Sequence, residues 1–202
     1  EKIEMIYNHI DFKKVEHMAQ ESLQAEYQDM FQHRVIITAG SLIEQKGQWH
    51  LIRAFAKARR RISDLKLVIL GEGEFESRLR KLVKELGIEK EVYFLGWQRN
   101  PFQFLARAEV FVFSSLWEGF GNVLLEALAC ETPIISTDCK EGPREILAPE
   151  SGLLQTSTIE YAPYGVLVPV GDRAFANALV PLSREEELLS EAIVRVLQDQ
   201  KL

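Results

Sequence analysis

Six short apolar runs recur along this chain: RVIITAG (34–40), KLVILG (66–71), VYFLG (92–96), EVFVF (109–113), PIIST (133–137) and YGVLVPV (164–170). Helix-compatible segments separate most of them. KGQWHLIRAFAKARRR (46–61) places Trp49, Ile52 and Phe55 at inward helical spacing, Gly87 can close the helix FESRLRKLVKELG, and Pro101 can open the short PFQFLARA. Strands that are apolar on both faces and alternate with helices predict an α/β domain, a parallel sheet of about six strands with helices on both faces. In open sheets of this kind ligands sit in the crevice at the carboxyl ends of the strands, so the residues just after each run are the candidates for function.

The richest of those ends is SSLWEGFGNVLLEALA, residues 114–129. A strand there passes through a tight turn into a helix with Leu124, Leu125, Leu128 and Ala129 on one broad face. The first helical turn leaves backbone N–H groups unpaired and carries roughly half a positive charge, which favours an anion. Gly119 and Gly121 lack a Cβ, so a phosphate can approach the main chain closely. Glu118 precedes the turn and Glu126 lies within the helix. Their separation is at most roughly 12 Å along the axis, against roughly 5–9.5 Å for carboxylate pairs that hydrolyse one glycosidic bond. Two hydroxyl-binding groups at opposite ends of a long ligand fit better than a hydrolytic pair. Surface glutamates on an amphipathic helix are the simpler alternative.

E-G-F-G-N-V-L-L-E closely resembles the signature of two glutamates seven residues apart in retaining glycosyltransferases of the GT-B architecture, the large family 4. The resemblance extends in order through VIITAGSLIEQKG, LVILGEGE, VYFLGW, PIISTDCKEGPREIL and YGVLVPVGD. It implies a Rossmann-like sheet, the C-terminal half of a GT-B fold. It also implies a nucleotide diphosphate sugar as donor, with UDP-hexose expected and GDP-mannose the rival, retention of anomeric configuration, and no metal or other cofactor. By the same resemblance Glu118 holds the transferred sugar, Glu126 holds the ribose, and Lys46 with the main chain of Gly119, Phe120, Gly121, Asn122 and Val123 meets the charge on the departing diphosphate.

The other strand ends fill in the site. Gly40 and Ser41 follow the first run and Lys46 with Gly47 opens the next helix; the family block usually reads Gly-Arg where Ser41 stands here, so one phosphate-binding cation is missing. A hydroxyl from Ser41 or the charge of Arg144 could replace it. A lysine at a helix start is slightly unfavourable with the dipole, which favours a functional Lys46 over a merely solvated one. GEGE (71–74) fails as a dinucleotide fingerprint, because the third glycine would fall at Glu76 and Glu72 and Glu74 would repel a pyrophosphate. A turn admitting a nucleoside is expected instead. Gly96 and Trp97 stand where the resemblance puts the base, with Trp97 or Arg99 able to stack on it. By the resemblance the loop 137–145 is expected near the donor, and 148–165 is expected as a mobile surface insertion.

Residues 1–33 read as a lead-in connector and helix, and 34–202 as the nucleotide-sugar-binding domain; Glu1 in place of Met and the absence of an acceptor domain mark a fragment. His9 and His17 in the lead-in, and the basic run Lys57, Arg59, Arg60 and Arg61, read as solvated. A net charge of −6 disfavours nucleic acid. No apolar run would span a bilayer, though peripheral membrane contact of a full protein fits. Cys130 and Cys139 lack metal spacing, which fits a reduced cytoplasmic setting. The full protein is expected to be a hexosyltransferase acting on a glycan or lipid-linked acceptor in polysaccharide biosynthesis, the fragment alone being inactive in transfer. The alternatives are a binding module without transferase activity and another nucleotide-dependent α/β enzyme.

Overall fold

A computed structural model describes residues 8–152 and 154–199. The first seven residues of the expected connector, and Leu153 in the expected insertion, lie outside the described residues.

The sheet has seven strands: β1 (Arg34–Ala39), β2 (Leu65–Leu70), β3 (Val92–Gly96), β4 (Val110–Phe113), β5 (Ile134–Thr137), β6 (Glu160–Ala162) and β7 (Gly165–Val168). They are ordered β3-β2-β1-β4-β5-β7-β6, and all neighbours run parallel except the last pair. Strand alternation builds two cores. Ile36, Leu67, Ile69, Val112 and Val168 face helices α3 (Gln48–Ala58), α4 (Glu76–Glu85) and α8 (Arg184–Gln198). Val35, Ile37, Val68, Phe111 and Leu167 face α5 (Phe102–Leu105), α6 (Asn122–Ala129) and α7 (Pro143–Leu147). Each fully buried side chain of this size contributes about 1.5–3 kcal/mol, and covering both faces is what parallel strands require. No helix of the described residues is long and apolar enough to cross a membrane.

The expected α/β sheet is present, with three departures from the sequence reading. The lead-in helix is broken into α1 (Phe12–Ala19), α2 (Ala25–Gln28) and a 3-10 turn at Asp29–Gln32, because Leu23 and Met30 turn inward to join the second core. The segment 148–165 is more than a surface loop, since β6 pairs antiparallel with β7 and closes that edge of the sheet. The basic run is largely paired: Arg59 with Glu91, and Lys57 and Arg61 with Glu187 and Glu191 of α8.

The chain after β7 is held by a buried charge cluster. Glu186 of α8 accepts from His50 Nδ1 and Arg53 Nε, both at 2.8 Å, and from the main chain of Ser183 at 2.9 Å. Burial works against its charge, but these donors win and hold its carboxyl below the usual range. Arg53 also donates to the carbonyls of Val180 and Pro181, and His50 Nε2 lies 2.9 Å from that of Asp172. One carboxylate thereby fixes α3, α8 and the intervening segment together.

Candidate donor site

Strand order reverses direction between β1 and β4, the position where an open sheet leaves a crevice at its carboxyl edge. A cavity of about 640 Å³ opens there. Gly40, Ser41, Lys46, Trp97, Glu118, Phe120, Gly121, Asn122, Val123 and Glu126 all line it. Gly96 and Gly119, also expected in the site, do not. Gly96 is the last residue of β3, with its carbonyl taken by the N–H of Gly71 at 2.8 Å, while Gly119 is exposed beside Glu118. Ala39, Leu70, Gly71, Glu72, Gln98 and Pro101 complete the lining. Leu70 and Ala39 were legible only as strand ends, and Pro101 only as a helix opener.

The loops are laced to one another by main-chain bonds. Gly40 N–H donates to Leu70 O at 3.0 Å and Leu42 N–H to Glu72 O at 2.8 Å. At Gly71, with φ +128°, a Cβ would stand 2.0 Å from the carbonyl oxygen of Gly40, so only glycine lets the first two loops meet. Leu116 N–H donates to Gln45 O at 2.8 Å, which ties the loop after β4 to the 3-10 turn that carries Lys46.

Lys46, expected at the diphosphate, and Glu118, expected at the transferred sugar, form an ion pair. The lysine stem passes Gly40, and its ammonium stands 5.4 Å from the centre of the Phe113 ring. Both residues are held from behind. Ser114 Oγ donates to Lys46 O at 2.9 Å, Ser115 Oγ donates to Glu118 Oε1 at 2.7 Å, and Thr137 Oγ1 donates to Ser115 O at 2.6 Å. All three hydroxyl residues are buried, and sequence reasoning passed them over; Ser114 and Ser115 lay in the quoted stretch but read only as the strand's end.

Helix α6 begins at Gly121, whose φ of +86° turns the chain, and no side chain caps it. Its first turn borders the cavity through Asn122 and Val123. Asn8 of the lead-in reaches this point and donates to Asn122 Oδ1 at 2.7 Å. One turn further on, Glu126 is half-buried, burial pushes its carboxyl up, and no described residue donates a hydrogen bond to it. A half-buried carboxylate without a donor has lost part of its hydration uncompensated, and a ligand hydroxyl would restore it. On the far wall Glu72 Oε1 accepts from Trp97 N–H at 3.3 Å, and the Trp97 side chain is 70% exposed.

Arg144, offered above as a replacement cation, is not placed at the cavity. Its guanidinium donates to Asp138 Oδ2 at 2.6 Å and to Glu160 Oε2 at 2.8 Å. Glu160 and Asp138 hold it well above its ordinary pKa, and Arg144 in turn lowers that of Glu160. Asp138 also takes the main-chain N–H of Thr156 at 2.6 Å, so the segment after α7 is tied to the end of β5. The loop 138–142 does approach the site, because a Cβ on Gly142 would stand 1.9 Å from Phe120 O. Burial pushes the thiols of Cys130 and Cys139 up to about 11 and about 12, so neither is a thiolate at neutral pH.

Among the described lining residues Lys46 is the one cation, beside Glu72, Glu118 and Glu126. A second cavity of about 310 Å³, near Leu128, Pro133, Tyr161 and Tyr164, is mostly apolar, with Glu131 as the one charged residue among its described lining.

Comparison with known proteins supplies the family. The profile described as glycosyl transferases group 1 matches residues 21–202. The chain is similar to an uncharacterized glycosyltransferase of Methanocaldococcus jannaschii, 40% identical over all of this chain and 51% of that protein. It is also similar to the N-acetylgalactosamine-N,N'-diacetylbacillosaminyl-diphospho-undecaprenol 4-alpha-N-acetylgalactosaminyltransferase of Campylobacter jejuni, 41% identical over 76% of this chain and 40% of that one. Among solved structures, Anabaena HepE in complex with UDP superposes with a TM-score of 0.73 at 22% identity, covering 97% of this chain and 48% of that one. The chain thus spans about half the length, or less, of the relatives it matches.

Proposed function

The chain belongs to the glycosyl transferases group 1, and from that membership we propose that residues 34–202 form the donor-binding domain of a retaining hexosyltransferase, with residues 1–33 as its lead-in. The donor is a nucleotide diphosphate sugar, UDP-hexose before GDP-mannose. The acceptor is a glycan or a lipid-linked glycan in polysaccharide biosynthesis, held by the half of such proteins that this chain does not span. The observation that carries this reading is the cavity itself: among its described lining residues one cation, Lys46, and an uncapped helix start stand together with Glu118 and Glu126.

Transfer requires the bond from the sugar to the diphosphate to weaken while negative charge grows on the departing oxygen. Lys46 and the N–H groups at the start of α6 stabilise that charge, each charge-assisted bond contributing about 1.5–3 kcal/mol. Glu126 accepts from the ribose and Glu118 from the sugar, and Trp97 offers its exposed face to the base. With Ser41 in place of the arginine usual in the family, Lys46 and the helix carry the diphosphate between them, without a metal. The UDP in the Anabaena complex favours a uridine nucleotide, and the diphospho-undecaprenol in the Campylobacter relative's name favours a lipid-linked acceptor. The chain alone binds donor and does not transfer.

Titration calorimetry against UDP, GDP and their hexose conjugates, with and without magnesium, tests this. Saturable binding of one nucleotide, independent of magnesium and lost in Lys46→Ala, is the expected result. Binding of neither nucleotide refutes the donor site, and binding that requires magnesium refutes the metal-free arrangement.

A further inference from the structure

Lys46 cannot serve a diphosphate and Glu118 equally. In the free protein it is paired with Glu118, whose side chain is only 7% exposed. A diphosphate carries more charge than a carboxylate and draws the ammonium toward itself. Glu118 is then left as a buried anion without its cation, and the cost of that state weakens donor binding.

Ser115 answers that cost. Its hydroxyl donates to Glu118 Oε1, the same oxygen that Lys46 contacts, so the carboxylate keeps a donor when the ammonium leaves. The serine is 1% exposed and its own carbonyl accepts from Thr137 Oγ1 at 2.6 Å, so it does not swing away with Lys46. Both contacts fall on Oε1, which leaves Oε2 as the acceptor for a hydroxyl of the ligand. We propose that Ser115 is a positioning residue for donor binding: its hydroxyl retains Glu118 in place while Lys46 is handed to the diphosphate. The proposal rests on the donor-site reading above.

A double-mutant cycle tests it. Wild type, Ser115→Ala, Glu118→Gln and the double variant are titrated with UDP, or with GDP where the wild type prefers it. Ser115→Ala is expected to weaken binding about tenfold or more, the size of a lost hydrogen bond to a charged group. Glu118→Gln is expected to bind more tightly than wild type, because a neutral amide no longer detains Lys46. In that background Ser115→Ala should have no further effect, since no buried charge needs holding. A purely structural serine would cost the same factor in both backgrounds. That result, or no loss in Ser115→Ala alone, overturns the proposal and leaves the donor site standing. If the wild type binds neither nucleotide, both fall together.

Discussion

Glu126→Ala should separate the stability of this protein from its affinity for a nucleotide. Glu126 sits on α6 with Leu124 and Ala127 buried beneath the same helix, and its half-buried carboxylate receives no hydrogen bond from a described residue. Burial raises its pKa, so in the folded state the proton is held more tightly than in the unfolded chain. With the folded value above the unfolded one, ionisation of Glu126 opposes folding, and that loss sets in as pH rises from the unfolded value, near about 4.3, through the folded value. Alanine removes this opposition and is the best helix former, so the melting temperature at pH 7 should stay level or rise. Affinity should move the other way. A carboxylate accepting from a ribose hydroxyl contributes about 1.5–3 kcal/mol, so the Kd for the bound nucleoside diphosphate should weaken about ten- to a hundredfold. Calorimetric titration gives the Kd, and thermal unfolding at pH 5 and pH 7 gives the stability. A Kd within twofold of wild type, with the fold intact, refutes the ribose role. A clear fall in melting temperature refutes the reading of Glu126 as a group whose charge opposes folding.

Two further perturbations probe the charges that shape the fold around the site. Glu186→Gln removes the anion shared by His50 and Arg53 and should destabilise the protein by about 3 kcal/mol at pH 7. Because the folded pKa of Glu186 is lowered, its stabilisation is present above the unfolded value and lost as pH falls through the folded one; urea midpoints of the variant should therefore fall less than those of wild type as pH drops from about 5 to about 2, and an equally steep acid limb counts against the cluster. Arg144→Met leaves Asp138, 1% exposed, without its cation and should cost about 3 kcal/mol of stability by chemical denaturation. Nucleotide affinity of the folded variant should fall less than tenfold, and a larger loss would return Arg144 to the diphosphate.

Much of the cavity was legible because a turn into a helix at the end of a parallel strand leaves local marks: glycines at the turn, a helix start, and glutamates before and within that helix. Gly40, Lys46, Glu118, Gly121 and Glu126 each carry such a mark, and each lines the cavity. Ser114, Ser115 and Thr137 carry none, because a serine or threonine at the end of an apolar run looks the same whether it faces solvent or holds a neighbouring loop. Arg144 misled for a related reason. A guanidinium near the right loop has the right charge, but its partners, Asp138 and Glu160, are six and sixteen residues away and come together only when β6 folds onto the sheet.

The sequence by itself determined the layered α/β architecture, since alternating apolar strands and amphipathic helices have few other ways to cover both faces of a sheet. It also determined the anion-seeking start of α6, which depends on neighbours along the chain. Tertiary structure alone decided that Lys46 meets Glu118 across 72 residues, that Ser115 shares the same oxygen, and that Glu186 joins α3 to α8. Local patterns follow from the short-range geometry of the backbone. Charge pairing across the fold depends on strand order, and strand order is settled by how the helices pack.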